Sequence, residues 1–406
     1  MFRYSLTVML LILPLFLLSQ NPGDLIAPPQ IEAEDTLGQK DLIDFFLKVT
    51  HLKVKNQKRV KGKKVYYSLL PFGKLPNGGS ALVTTTQAGF YLGNRKTTYL
   101  STVTFSPTTN FKGQFNIPFS ANIWSPENAW NYQGQLRYSY IPQDTWGLGG
   151  GNDIDEKIRI NYSYIRLYAS ALKKIKPYFF AGLGYNLDYH VNIRPADDTS
   201  SIGKFTNYPY GTANNTNSIS SGLTLNLLFD TRVNSVNPLP GFYTNIILRT
   251  NPGFLSSGEE WYSLYADARK YITLSDKGQN VLAFWTYVWT TLGSKAPYLN
   301  LPAIGWDADQ KSGRGMYSRR YTGNTLLYLE TEYRRDITNN GMFGFVVFAN
   351  VNSVTEPGTR QFAYLHPAAG AGLRIKFNKK TATNIGIDFG FSKGYSGIYF
   401  TLGETF

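Results

Sequence analysis

The last 23 residues, NIGIDFGFSKGYSGIYFTLGETF, alternate apolar and polar side chains in two runs joined at a Lys-Gly step. A β-strand sends successive side chains to opposite faces. Ile385, Ile387, Phe389 and Phe391 therefore share one face, and Asn384, Gly386, Asp388 and Gly390 the other. In the final run Ile398, Phe400, Leu402 and Phe406 lie opposite Tyr399, Thr401 and Gly403, with Glu404 breaking the apolar row near its end. A hairpin of this kind fits a soluble sandwich as well as a barrel in a bilayer, so the rest of the chain decides.

At the start, Arg3 precedes an apolar run from Leu6 to Leu18, followed by a polar, Pro-rich stretch. That order predicts a signal peptide over residues 1–20, because the run is too short for a helical membrane span. No cysteine is present, which excludes disulfides, thiolate metal sites, a lipidated cysteine and cysteine catalysis. Mean hydropathy is only −0.25, yet 15% of residues are aromatic and 38 are Gly. A transmembrane barrel accounts for that mixture, since half of each strand faces a polar lumen and aromatic girdles mark the interfaces. In an exported chain the net charge of +14 suits anionic lipid or lipopolysaccharide better than nucleic acid.

Residues 21–63 read as a periplasmic segment. Leu42, Phe45, Phe46 and Val49 keep the spacing of one apolar helical face, and seven Lys or Arg residues follow between His51 and Lys64. This is either an interfacial helix with its basic tail on headgroups, a helix tucked into a barrel mouth, or a solvated linker.

Over residues 64–406 there are about 16 alternating segments, an even count that suits a single-chain barrel. They lie near 64–72, 83–94, 97–108, 113–124, 130–142, 158–171, 177–190 and 217–230, then 241–250, 259–274, 279–292, 323–335, 341–354, 365–378, 382–391 and 396–406. The long connections 143–157, 191–216 and 293–322 all fall on one side. Asn94–Thr97, Lys173–Lys176 and Asn378–Lys380 are short turns on the other, where Thr231–Pro240 is a longer exception. The expected fold is an all-β, antiparallel transmembrane barrel with a short N-terminal helix.

Four tracts resemble the bacterial surface antigen superfamily, the BamA/TamA-type outer-membrane barrels. FDTRVNSVNPLPGFY carries an Asp-x-Arg turn in which Asp230 and Arg232 are placed to pair, with Pro238, Pro240 and Gly241 fixing the backbone. GRGMYSRRYTGN is similar to the family's Arg-Gly-aromatic loop motif: Arg314 and Gly315 match, and Met316 replaces the aromatic residue. The resemblance implies that this loop, between strands 11 and 12, folds into the lumen; the alternative is an Arg-rich surface loop on lipopolysaccharide phosphates. On NTLLYLETEYRRD, Glu330, Glu332 and Arg334 share the inward face. In the next strand Asn350 and Asn352 stand where the family has an aspartate and a glycine. An amide carries no charge, so the ion pair of Arg314 is expected at Glu332 or Glu330, with Asn350 left as a hydrogen-bond acceptor. The fourth tract is GAGLR, Gly370–Arg374, followed by the closing hairpin. There Tyr395, Gly397, Phe400, Leu402 and Phe406 match the C-terminal signal read by the barrel assembly machinery.

Residues 21–63 are too few for one POTRA domain, so the resemblance implies a barrel-only member that works with a separate periplasmic or outer-membrane protein. Neither catalysis nor a cofactor or metal is expected. His51, His190 and His366 fall in different segments and no Gly-x-Ser-x-Gly elbow is present. A phospholipase-like Ser/His pair at the rim would have to use His190, with no serine marked as its partner. GLGGGND, residues 147–153, lacks the lysine of a P-loop and reads as an outer loop. Two functions remain: insertion or translocation of proteins or lipids through an openable seam between the first and last strands, or a passive, plugged or structural barrel.

Overall fold

The computed structural model describes residues 38–49, 65–70, 73–74, 80–110, 113–195, 216–232, 234–256, 260–275, 280–292 and 295–406. The expected signal peptide, His51 and the basic stretch lie outside the described residues. Twenty strand segments are present among the described residues. They form sixteen spans once segments separated by a kink are joined and the two-residue Gly73–Lys74 is set aside.

The first eight spans are β1 (Tyr66–Leu70), β2 (Ser80–Val83 with Thr85–Phe90), β3 (Ser101–Phe105 with Thr108–Thr109), β4 (Phe115–Trp124), β5 (Trp130–Tyr140, extended by Gln143–Thr145), β6 (Ile158–Lys176), β7 (Phe179–Pro195) and β8 (Thr216–Asp230). Next come β9 (Gly241–Asn251), β10 (Trp261–Thr273), β11 (Asn280–Leu292), β12 (Thr325–Asp336), β13 (Phe343–Val354), β14 (His366–Asn378), β15 (Thr383–Ser392) and β16 (Tyr395–Leu402). Each pairs antiparallel with the next. The barrel is nearly closed: β16 lies beside β1, but no ladder pairing joins them among the described residues.

Alternation fixes which side chains meet lipid. On β8, Leu223 and Leu225 are exposed outward while Thr224 and Asn226 are buried in the lumen. On β15, Ile387, Phe389 and Phe391 point out and Asp388 is fully buried. In water such an apolar belt would be a liability; in hydrocarbon it is the stable arrangement, because closure leaves few backbone groups unpaired.

Several boundaries differ from the sequence expectation. Residues 97–100 are not in a strand, so β3 begins at Ser101. Lys173–Lys176 lie inside β6, and the turn is Pro177–Tyr178, where Tyr178 takes φ 64°. The last strand stops at Leu402, since Gly403 has φ 88° and turns the chain inward. Phe406 is consequently off the lipid face: it is buried against Trp285 and Tyr271, with ring centroids 5.3 and 6.3 Å away. Glu404, which breaks the apolar row in the sequence, is also inside.

The exceptional turn after β8 has a structural reason for its length. Asn234 Nδ2 donates to the Thr381 carbonyl at 2.8 Å, and the Val236 carbonyl accepts from Glu404 N–H at 2.8 Å. The turn therefore reaches across one end of the barrel to β14, β15 and the chain's last residues. Arg232 forms a forked pair with Asp230, both contacts 2.9 Å, and its guanidinium lies 4.0 Å from the Tyr243 ring centroid. Asp230→Asn should keep one acceptor but lose the charge, costing about 1 kcal/mol. A lower urea midpoint for the folded barrel would register this, and an unchanged midpoint would mean that the pair does not brace the turn.

The single described helix, α1 (Leu42–Val49), is pinned outside this same end. Asp41 Oδ1 accepts from Asp44 N–H at 2.8 Å and Oδ2 from Lys379 N–H at 2.9 Å, while Lys379 Nζ reaches Asp44 at 2.7 Å. Phe45, Phe46 and Val49 stay exposed, so the helix hangs on the rim with part of its apolar face uncovered.

Candidate functional site: a charged latch inside the barrel

The loop between β11 and β12 enters the lumen. Ile304 N–H donates to the Tyr321 carbonyl and Arg319 N–H to the Ile304 carbonyl, so the loop closes on itself. Arg319 is fully buried and donates to the Leu299 and Tyr298 carbonyls, both at 3.2 Å. The surface-loop alternative therefore does not describe these arginines.

Arg314, at the tip, is the centre of an ion network. Its guanidinium bonds Glu330 and Glu332 on β12 and reaches Asp388 on β15 at 2.5 Å. Glu332 is shared with Arg334 at 2.5 Å, and Asp388 with Arg374 at 2.5 Å. Arg374 continues to Glu404 at 2.8 Å, and Arg334 donates to the Phe406 carbonyl oxygen at 2.8 Å. The network thus joins the loop, three strands and the inward-turned end of the chain. Three guanidiniums stand among four carboxylates, and each carboxylate has at least one arginine, as burial of charge requires.

The loop backbone is held as well. Gly313 N–H donates to the Tyr328 hydroxyl at 3.1 Å and Gly315 N–H to the Tyr399 hydroxyl at 2.8 Å. Gly315 takes φ 90°, and a Cβ there would sit 2.8 Å from the Phe391 nitrogen, so only glycine lets the loop lie directly on β15. Met316 is buried, and its sulfur accepts from Asn352 Nδ2 at 2.9 Å. The glycine run 147–153 packs on the loop and on the segment after β13: Gly149 N–H donates to the Thr322 carbonyl at 2.8 Å and Gly150 N–H to Glu356 at 2.6 Å.

One expected contact has a different form. Asn350 does not accept from the Arg314 guanidinium; its amide donates to the Arg314 main-chain carbonyl at 2.9 Å. The guanidinium instead lies 3.7 Å from the Phe348 ring centroid. The carboxylate that an aspartate at position 350 would have offered comes instead from Asp388, two strands further on. Sequence reasoning had placed Asp388 on the inward face but gave it no partner. Arg374, Glu404 and Phe348 were missed for the same reason, since their partners come from other strands. Of the closing signal, Tyr395 packs on Tyr317 of the loop at 4.1 Å between centroids, Phe400 and Leu402 stay on the outer face of β16, and Gly397 pairs with Gly390. Pro238 and Gly241 flank the end of the long turn beside Asp230 and Arg232.

His190 is buried and stacked on Tyr164 at 4.5 Å between centroids. Ser218 stands opposite it in register, but neither His190 nitrogen nor the Ser218 hydroxyl makes a hydrogen bond. The pair lacks the contact that a nucleophile and its base need.

No family model matches the chain. No curated protein matches it either. Solved structures do. BamA from Haemophilus ducreyi lacking POTRA domains 1–3 aligns over 86% of this chain and 72% of its own, with a TM-score of 0.51 and 14% identity. CdiB from Escherichia coli aligns over 83% of this chain and 61% of its own, at 0.54 and 10% identity. CdiB from Acinetobacter baumannii aligns over 84% and 66%, at 0.50 and 11% identity. The chain thus spans less than two thirds of either CdiB. At these identities the likeness is one of fold. A nearly closed barrel with an apolar outer belt, similar in fold to BamA and CdiB, gives this chain the architecture of an outer-membrane β-barrel.

Proposed function

We propose that this barrel helps insert or translocate proteins or lipids across the outer membrane, together with a separate periplasmic protein. In this reading residues 1–20 are the export signal, residues 21–63 a periplasmic segment ending in α1 and its basic tail near lipid headgroups, and residues 64–406 the barrel. The observation that carries it is the seam. β1 contributes five residues and pairs with β2, while no ladder to β16 is present among the described residues. A seam without a full set of main-chain bonds costs little to part, whereas every other strand boundary would have to break a ladder of main-chain bonds. The latched loop favours a second reading, a plugged barrel that scaffolds a partner without opening.

The natural chain has no cysteine, so a cysteine pair placed across β1 and β16 would be the only one that can form a disulfide. Oxidation should abolish outer-membrane assembly in cells that depend on this protein, and reduction should restore it. Assembly that continues with the seam fully crosslinked would eliminate the opening mechanism and leave the scaffold. Pull-down of the full chain from the envelope identifies the periplasmic protein under either reading.

A further inference from the structure

We propose that Arg137 and Arg166, beside an Arg249 already paired with Asp188, form a lumenal site for a phosphoryl oxyanion in a cavity that the Arg314 loop also borders. Arg137 on β5 and Arg166 on β6 are direct cross-strand partners on the inward face. Like charges in that register repel. Among the described residues the carboxylate beside this group is Asp188, which is already saturated: it accepts from Arg249 at 2.6 Å, from Tyr164 at 2.5 Å and from Tyr168 at 2.8 Å. Arg166 is left 3.6 Å from it and donates its Nε to the Tyr164 hydroxyl at 2.7 Å instead.

Two nitrogens of the facing pair have no hydrogen-bond partner among the described residues. Arg166 Nη1 and Arg137 Nε are both buried without a hydrogen bond, and Arg166 as a residue is only 3% exposed. Arg314, Arg319, Arg320 and Arg334 also leave one buried nitrogen unpaired, but Arg314 and Arg334 hold carboxylates and Arg319 and Arg320 donate to main-chain carbonyls. Arg232, Arg269 and Arg374 each hold a carboxylate oxygen at 2.9, 2.6 and 2.5 Å. Three guanidiniums against one carboxylate leave a formal excess of two positive charges, the charge of a phosphate monoester. Water would satisfy the hydrogen bonds but not the charge. A tetrahedral oxyanion offers several acceptors to two guanidinium forks at once. Space is present: a lumen cavity of about 610 Å³ is lined by Arg137 and Arg166 together with Thr104, Ser120 and Gln135, and it is bordered as well by Asp309 and Arg314 of the loop. The phosphoryl group is either free phosphate or the headgroup of a lipid that enters the lumen.

The test uses the full chain in detergent, with melting followed by the loss of compact migration on a gel. Inorganic phosphate should raise the melting temperature by several degrees over sodium chloride at equal ionic strength. Arg137→Gln removes the repulsion, so it should melt higher than the natural chain in phosphate-free buffer and bind phosphate about ten-fold or more weakly. Because Arg137 Nε has no partner to lose, this variant should fold. Dihexanoyl phosphatidic acid distinguishes the sources: a shift at lower concentration than phosphate identifies a lipid headgroup, and a response to phosphate alone identifies the free ion. Absence of any shift beyond chloride with both probes, or an unaltered response in Arg137→Gln, overturns the proposal.

Discussion

Arg314→Ala should lower the stability of the barrel by about 3–5 kcal/mol and turn a quiet channel into one with large, steady currents in planar bilayers. The substitution strands Glu330, Glu332 and Asp388 in the lumen with one cation fewer, and each of them is essentially unexposed. Arg334 and Arg374 still serve Glu332 and Asp388, but Glu330 keeps only the Tyr328 hydroxyl. Mutual repulsion of the carboxylates then acts on the strands that the guanidinium had tied together. The loop tip loses its charged anchor and should leave the lumen. Conductance and melting unchanged from the natural chain would show that the network neither holds the loop nor contributes to stability.

Gly390→Leu should expel the same loop while leaving every charge in place. A Cβ at residue 390 would lie 2.7 Å from the Gly315 nitrogen and 3.0 Å from its Cα, which is closer than packed atoms tolerate. The obstacle is main chain on both sides, so no side-chain rotation relieves it. Overpacking of this kind costs about 1–3 kcal/mol, and more where backbone must shift. If the loop is held by fit as well as by charge, this variant should conduct like Arg314→Ala. A closed channel in Gly390→Leu with an open one in Arg314→Ala would assign the latch to electrostatics alone. The two together separate shape from charge, which a single substitution at Arg314 does not.

The inward glutamates were legible in the sequence because strand periodicity is a local property. Knowing that Leu329 faces out fixes Glu330 and Glu332 as facing in, whatever the rest of the chain does. The outer belt and the positions of most strands were readable for the same reason. Position 350 shows where that reading stops. Its place opposite Glu330 in the ladder follows from the hairpin, yet its choice of the Arg314 carbonyl over the guanidinium depends on how deep the loop sits. Asp388 is further from Arg314 in sequence than either glutamate and ends at 2.5 Å from it, because closure brings β15 across from β12.

Alternation, the even number of runs and the asymmetry of connection lengths were thus determined by the sequence itself, since each depends on residues close together in the chain. The hairpin at its end looked like two membrane strands running out to Phe406. Only the closed barrel decided otherwise: the last four residues leave the strand at Gly403, and Phe406 and Glu404 enter the lumen to meet Trp285 and Arg374. A strand's period says which face a side chain would take while the strand continues. Where it stops is set by partners across the barrel, and these exist only after the sheet has curled to bring distant strands within reach of one another.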